Sequence, residues 1–99
     1  MAPEMLFNGS YDYRIDIWAL GVLLYEMVHG HAPFRGDSVV EVKEKMMKGS
    51  YELSDVLSDS LKKLITDILK FDPAERIPLK EILAHQWVKD IEEIISNGP

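Results

Sequence analysis

Hydrophobic residues fill one long segment of the chain so completely that no polar face is left. Between Ile17 and Val28, the only residues that are not apolar are Gly21 and Glu26. At the 3.6-residue period of an α-helix, this leaves no side for water. Gly30 follows as a C-terminal stop signal. The pattern predicts a helix over 17–28 that is surrounded by protein.

Further segments have the apolar periodicity of one-sided helices. The clearest begins at Ser58, and its inner face is formed by Leu61, Leu64, Ile65, Ile68 and Leu69. Others are predicted from Ser38 to Lys48, from Pro78 to His85, and from Val88 to Ile95, followed by a frayed end at 97–99. No segment alternates apolar and polar residues as a strand does. The sequence therefore predicts an all-α fold.

These one-sided helices supply too thin a shell for the helix at 17–28. Only about 70 residues remain to surround a helix that is apolar all round. We therefore expect that a partner covers part of this helix, or that the chain is one part of a larger domain.

Composition excludes several functional classes. A chain of 99 residues has the size of one small domain. Its net charge of −6 argues against nucleic-acid binding, and the absence of cysteine excludes thiolate metal sites. The apolar stretch is too short to span a membrane, and no leader pattern is found at Met1, so an intracellular, cytoplasmic location is expected. His29, His31 and His85 do not have metal-ligand spacing.

Three short motifs, the last of which ends in an arginine, suggest a family. They are Ala2-Pro3-Glu4, Asp16-x-Trp18-x-x-Gly21 and Asp72-Pro73-Ala74-Glu75-Arg76. In this order and spacing they resemble the lower C-lobe of a eukaryotic protein kinase of the serine/threonine type, and in particular of an Aurora-like kinase. The resemblance implies a truncated, helical lower C-lobe over 1–88, from the A-P-E segment through helices F to I. It leaves 89–99 as a C-terminal helical extension and tail.

The resemblance also assigns structural roles. In the family, the aspartate at the position of Asp16 holds the backbone of the catalytic loop, and its helix anchors the hydrophobic spines. Glu4 and Arg76 correspond to a buried ion pair that ties the activation segment to the lobe. Pro78 departs from the family, because relatives place a serine or threonine there that caps the next helix.

The sequence contains none of the motifs that perform phosphoryl transfer. The Gly-rich loop, the strand lysine, the H-R-D loop and the D-F-G motif all precede A-P-E in the family. No catalytic, cofactor-binding or metal-binding residue is therefore assigned, and ATP and Mg²⁺ are implied only for an intact kinase. The chain is expected to be inactive alone.

Two further hypotheses remain beside that of a serine/threonine kinase fragment. The chain could be a non-catalytic helical module that binds a protein substrate or regulator through its G-helix region, with Phe34, Val39, Val42 and Met46 as the docking surface. It could also be a small helical bundle whose kinase likeness is residual. The other expected partner is the remainder of a kinase domain. Nucleic acid and membrane are not expected as partners.

Overall fold

The computed structural model describes Pro3 and residues 13–97. Residues 13–97 form five α-helices, one 3₁₀ turn and no strand: α1 Tyr13–His29, α2 Val39–Lys48, α3 Asp59–Ile68, the 3₁₀ turn Pro73–Glu75, α4 Leu79–Leu83 and α5 Gln86–Asn97. The predicted all-α class is confirmed for these residues. None of their helices is both long enough and apolar enough to cross a bilayer.

Side-chain caps fix the starts of the middle helices. The hydroxyl oxygen of Ser38 accepts a hydrogen bond from the backbone N–H of Glu41 at 3.2 Å. Ser58 accepts one from the N–H of Leu61 in the same way, also at 3.2 Å. Such caps satisfy N–H groups that the helix itself leaves without a partner. Both helices therefore begin where the sequence predicted.

The core forms where α1 packs against α3. From α1 it takes Ile17, Trp18 and Tyr25, and from α3 it takes Leu61, Leu64, Ile65 and Ile68. Gly21 lies at the closest approach, since a Cβ atom there would stand 2.3 Å from Cγ2 of Ile68. The absence of a side chain at Gly21 is what lets the two helices approach so closely.

Only one side of α1 is covered by the described residues. Ile17, Trp18, Gly21 and Tyr25 are buried, whereas Leu23 is 53% exposed and Met27 is 72% exposed. The helices of the described part thus form an incomplete shell around α1, in agreement with the count of one-sided helices.

The C-terminal elements differ in detail from the sequence expectation. Pro78 precedes α4 and provides no side-chain cap, as expected for a position without a hydroxyl. α5 extends beyond the predicted Val88–Ile95 and includes Asn97, which was expected to be frayed. The hydroxyl of Ser60 on α3 donates to Oδ2 of Asp90 on α5 at 3.1 Å, so this helix is attached to the core helix. Residues 98–99 lie outside the described part.

Candidate functional site

Arg76 is a charged side chain inside the core. It is 5% exposed and follows directly after the 3₁₀ turn. Its Nε donates to the carbonyl of Lys70 at 2.9 Å, its Nη1 to that of Arg14 at 2.9 Å, and its Nη2 to that of Phe71 at 3.3 Å. These acceptors belong to the start of α1 and the chain after α3. The guanidinium therefore joins segments that are distant in sequence.

Trp18 lies against this guanidinium. The Arg76 Cζ atom is 4.9 Å from the centre of the indole ring, a cation–π distance. The same indole stacks on Phe34, with ring centres 5.6 Å apart and planes 10° apart. Trp18 is 2% exposed, and its Nε1 has no hydrogen-bond partner among the described residues. The motif residues Trp18 and Arg76 thus meet in one buried cluster.

The predicted partner of Arg76 cannot be placed. Ala2 and Glu4 lie outside the described residues, so the Glu4–Arg76 ion pair stays a prediction. Pro3 is described and is fully buried. The structure establishes that Arg76 is buried. This excludes the alternative that Arg76 is an ordinary solvated arginine of the surface.

Asp16 lies on the other side of α1. It is exposed in the first turn of the helix, and Leu23 and Met27 follow at seven and eleven residues on the same helical face. The face therefore combines one carboxylate near the helix N-terminus with exposed apolar side chains. An exposed apolar surface of this kind is typical of a site where another protein layer binds.

The predicted docking surface around α2 requires correction. Phe34 and Met46 are buried in the core, because Phe34 stacks on Trp18 and Met46 packs in the same cluster. Val42 is half-buried and only Val39 is exposed. The amphipathic pattern of α2 correctly identified the apolar face of the helix, but this face packs against the core of the same chain and not against a partner. Its exposed apolar residues are Val39, Val40 and Met47.

A second polar cluster, which the sequence did not reveal, ties the end of α1 to the segment after α2. The Tyr25 hydroxyl donates to the carbonyl of Glu52 at 2.5 Å, and Nε2 of His29 accepts the N–H of Ser54 at 3.0 Å. Nδ1 of His29 lies 3.1 Å from the carbonyl of Tyr25, so these partners place the ring hydrogen on Nδ1. Burial, with a smaller effect of the Glu52 carboxylate, raises the pKa of Tyr25. This histidine therefore has a structural role.

Among the described residues, no group of three or more histidine, aspartate or glutamate side chains is arranged to hold a metal. His85 is also used within the fold, since its Nδ1 accepts the N–H of Trp87 at 3.2 Å. Its Nε2 lies 3.5 Å from Oδ2 of Asp67.

Comparison with known proteins identifies the family to which this cluster belongs. The family model described as "Protein kinase domain" matches residues 1–88. The chain belongs to the protein kinase family. Its relatives include the serine/threonine-protein kinase ULK3 of Mus musculus, 40% identical over 97% of the chain, and an Aurora kinase of Eremothecium gossypii, 35% identical over 90% of it. The probable serine/threonine-protein kinase MARK-A of Dictyostelium discoideum is 35% identical over 95% of the chain.

This protein kinase chain spans only part of those relatives. It covers 21% of the length of the mouse ULK3 protein, 24% of the Aurora kinase and 9% of MARK-A. The resemblance to serine/threonine kinases is thereby confirmed, and the fold is that of a helical kinase C-lobe. The activity of the whole protein is a separate matter.

The sequence did not predict the contacts of two residues, Phe34 in the buried cluster and Tyr25 in the polar cluster at the end of α1. Phe34 was assigned to the surface, and no signal in the sequence shows that its ring stacks on Trp18 across 16 residues. Tyr25 was assigned to core packing, which is correct, but its hydroxyl contact to Glu52 links residues 27 positions apart. Neither contact has a local sequence signature.

Proposed function

We propose that this chain is the scaffold part of a serine/threonine protein kinase, and that the complete protein transfers the γ-phosphate of ATP to protein hydroxyl groups. The observation that supports this best is the two-sided character of α1. One side buries the motif residues Trp18 and Gly21 against Arg76 and α3. The other side presents Asp16, Leu23 and Met27 to solvent.

The exposed face of α1 is the side on which the family places its catalytic loop and spines. Asp16 places its carboxylate on that face, and a carboxylate can accept backbone N–H groups. Leu23 and Met27 offer apolar area that a covering layer would remove from water, at roughly 25 cal/mol per Å². In this proposal the chain positions the catalytic elements, while ATP and Mg²⁺ bind to residues that it does not contain.

A chimeric kinase tests this proposal. The chain would replace the matching segment of mouse ULK3, and ATP-dependent phosphorylation of a serine peptide would be measured. We expect the chimera to be active, and the Leu23→Asp/Met27→Asp variant to lose activity. Leu83→Asp on α4, also at an exposed leucine, serves as the matched control. An inactive chimera that still binds Mg-ATP would contradict the scaffold role.

Docking of a protein partner on α2 is a second candidate function. The specific observation in its favour is that Val39, Val40 and Met47 are exposed on one helix, at spacings of seven and eight residues between Met47 and the two valines. In the active chimera, Val40→Asp/Met47→Asp should reduce phosphorylation of a folded protein substrate and leave a short peptide unaffected. Equal losses on both substrates would exclude a docking role.

A further inference from the structure

A polar cleft lies beside the end of α1, on a part of the molecule that neither proposal above uses. Its walls are the end of α1, the loop that follows it, and α2 with the segment after it. The cleft has a volume of about 370 Å³ and is lined by Arg35, Lys45, His31 and Ser50, among others. Arg35, Lys45 and Ser50 offer hydrogen-bond donors to this cleft.

Arg35 is the main donor of this cleft. Its side chain is exposed, and no hydrogen bond or ion pair joins its guanidinium to another residue in the described part of the chain. It lies near enough to the Tyr25 hydroxyl for its charge to lower the pKa of that group, against the larger effect of burial, which raises it. A planar guanidinium with unused N–H groups matches the oxygens of a phosphate.

The walls of the cleft are held in place by contacts within the chain. The Lys45 ammonium donates to the backbone carbonyl of Arg35 and forms an ion pair with Glu41 at 3.4 Å, so that it fixes the loop to α2. On the other wall, the Tyr25 hydroxyl holds the carbonyl of Glu52 at 2.5 Å. The backbone of Arg35 is therefore held in place before any ligand arrives, while its exposed side chain is free to turn toward the ligand.

The local charge differs from that of the chain as a whole. The chain carries a net charge of −6, whereas the cleft is close to neutral: Arg35 and Lys45 are opposed by the Glu52 carboxylate in the lining and by Glu41, which pairs with Lys45 at 3.4 Å. His31 does not add a donor, because its Nδ1 lies 3.0 Å from the carbonyl of Ala32 and holds the ring hydrogen there, which leaves Nε2 as an acceptor in the neutral ring. A phosphate carries about −1.5 to −2 charges and three acceptor oxygens, more than a carboxylate offers to these donors.

We propose that this cleft binds the phosphate group of a phosphorylated peptide. Arg35 would bind the phosphate bidentately, and Lys45 and the Ser50 hydroxyl would complete the contacts. The negative charge of Glu52 repels the phosphate and so lowers the affinity of the cleft. This proposal does not depend on the scaffold role, because every contact lies within this chain.

The test is a phosphorus NMR titration of the 99-residue chain with a capped Ala-phosphoserine-Ala peptide. Binding is detected as a change in shift or line width of the phosphate signal. Arg35→Gln should weaken binding at least about tenfold, because hydrogen bonds to charged groups contribute about 1.5–3 kcal/mol. Glu52→Gln should tighten it. Lys80→Gln, an exposed lysine on α4, is the charge-matched control and should change nothing.

Each result decides for or against the proposal. Opposite effects of Arg35→Gln and Glu52→Gln, with no effect of the control, would support it. Equal loss in the control would indicate only long-range attraction, and no binding by the wild type would overturn the proposal outright. Inorganic phosphate is titrated in parallel, and equal affinity for it would show that the peptide is not the ligand. Circular dichroism of each variant confirms that the helices remain.

Discussion

Substitution of Gly21 by alanine should destabilise the fold, although alanine is the better helix former. The ideal Cβ position at Gly21 lies 2.3 Å from Cγ2 of Ile68 and 3.0 Å from Cδ2 of Leu69. Ordinary van der Waals contact requires about 3.5–4.0 Å between carbon atoms. Ile68 is 0% exposed and cannot turn away into solvent. The helices α1 and α3 would have to separate.

The magnitude follows from two opposing effects. Overpacking of a well-packed core costs typically 1–3 kcal/mol, and the short distance to Ile68 indicates the upper end. Replacing a mid-helix glycine by alanine returns about 0.5–1 kcal/mol through helix propensity. We therefore expect Gly21→Ala to lower the free energy of unfolding by about 2 kcal/mol, measured by urea titration with circular dichroism at several protein concentrations.

A double-mutant cycle tests the cause. Ile68→Leu removes the Cγ2 atom that the new Cβ would meet while keeping the side-chain volume. The double variant Gly21→Ala/Ile68→Leu should therefore recover part of the loss, giving a favourable coupling energy. If Gly21→Ala alone is as stable as the wild type, propensity outweighs packing and the close approach of α1 and α3 is refuted.

Three other substitutions have defined outcomes. Glu41→Gln should lower stability at neutral pH, because the Asp37 N–H and then Lys45 hold the pKa of Glu41 below its usual value. The difference in stability between the variant and the wild type should disappear as the pH falls from about 4.5 through the depressed pKa of Glu41. Urea midpoints of both proteins, measured at neutral pH and below the depressed pKa, would show this. Arg76→Lys should lower the free energy of unfolding by about 1–3 kcal/mol in urea titrations, since an ammonium cannot reach all three carbonyls and leaves a buried acceptor unsatisfied. Tyr25→Phe should cost about 1 kcal/mol by leaving the Glu52 carbonyl without its donor, as thermal unfolding would show.

The sequence predicted the helices well because their signals are local. Ser38 and Ser58 cap the helices that they were expected to start, and Gly30 ends α1 with a φ of 77°. Caps, periodicity and breaker residues act within one or two turns, so a single sequence reveals them. The incomplete cover of α1 was also predictable, since it follows from counting apolar faces.

The candidate site was less predictable because its contacts join distant segments. Periodicity showed that Met46 lies on the apolar face of α2, but it could not show whether that face meets this chain or a partner. The family motifs led to Arg76, yet its acceptors are backbone carbonyls that any sequence would supply. Arg35 belongs to no motif, and its position became significant only with the cleft around it.

The motif residues of this chain also explain why family membership and activity are separate questions. Gly21 permits a helix contact, and Trp18 and Arg76 close a buried cluster, so each has a packing role within this chain. Such residues are needed wherever the kinase C-lobe folds, whether or not chemistry follows. Under the proposed scaffold role, activity would depend instead on what covers Asp16, Leu23 and Met27, the face that the described residues leave exposed. The chimera experiment changes residues on this face and therefore tests activity, whereas the family motifs are evidence only for the fold.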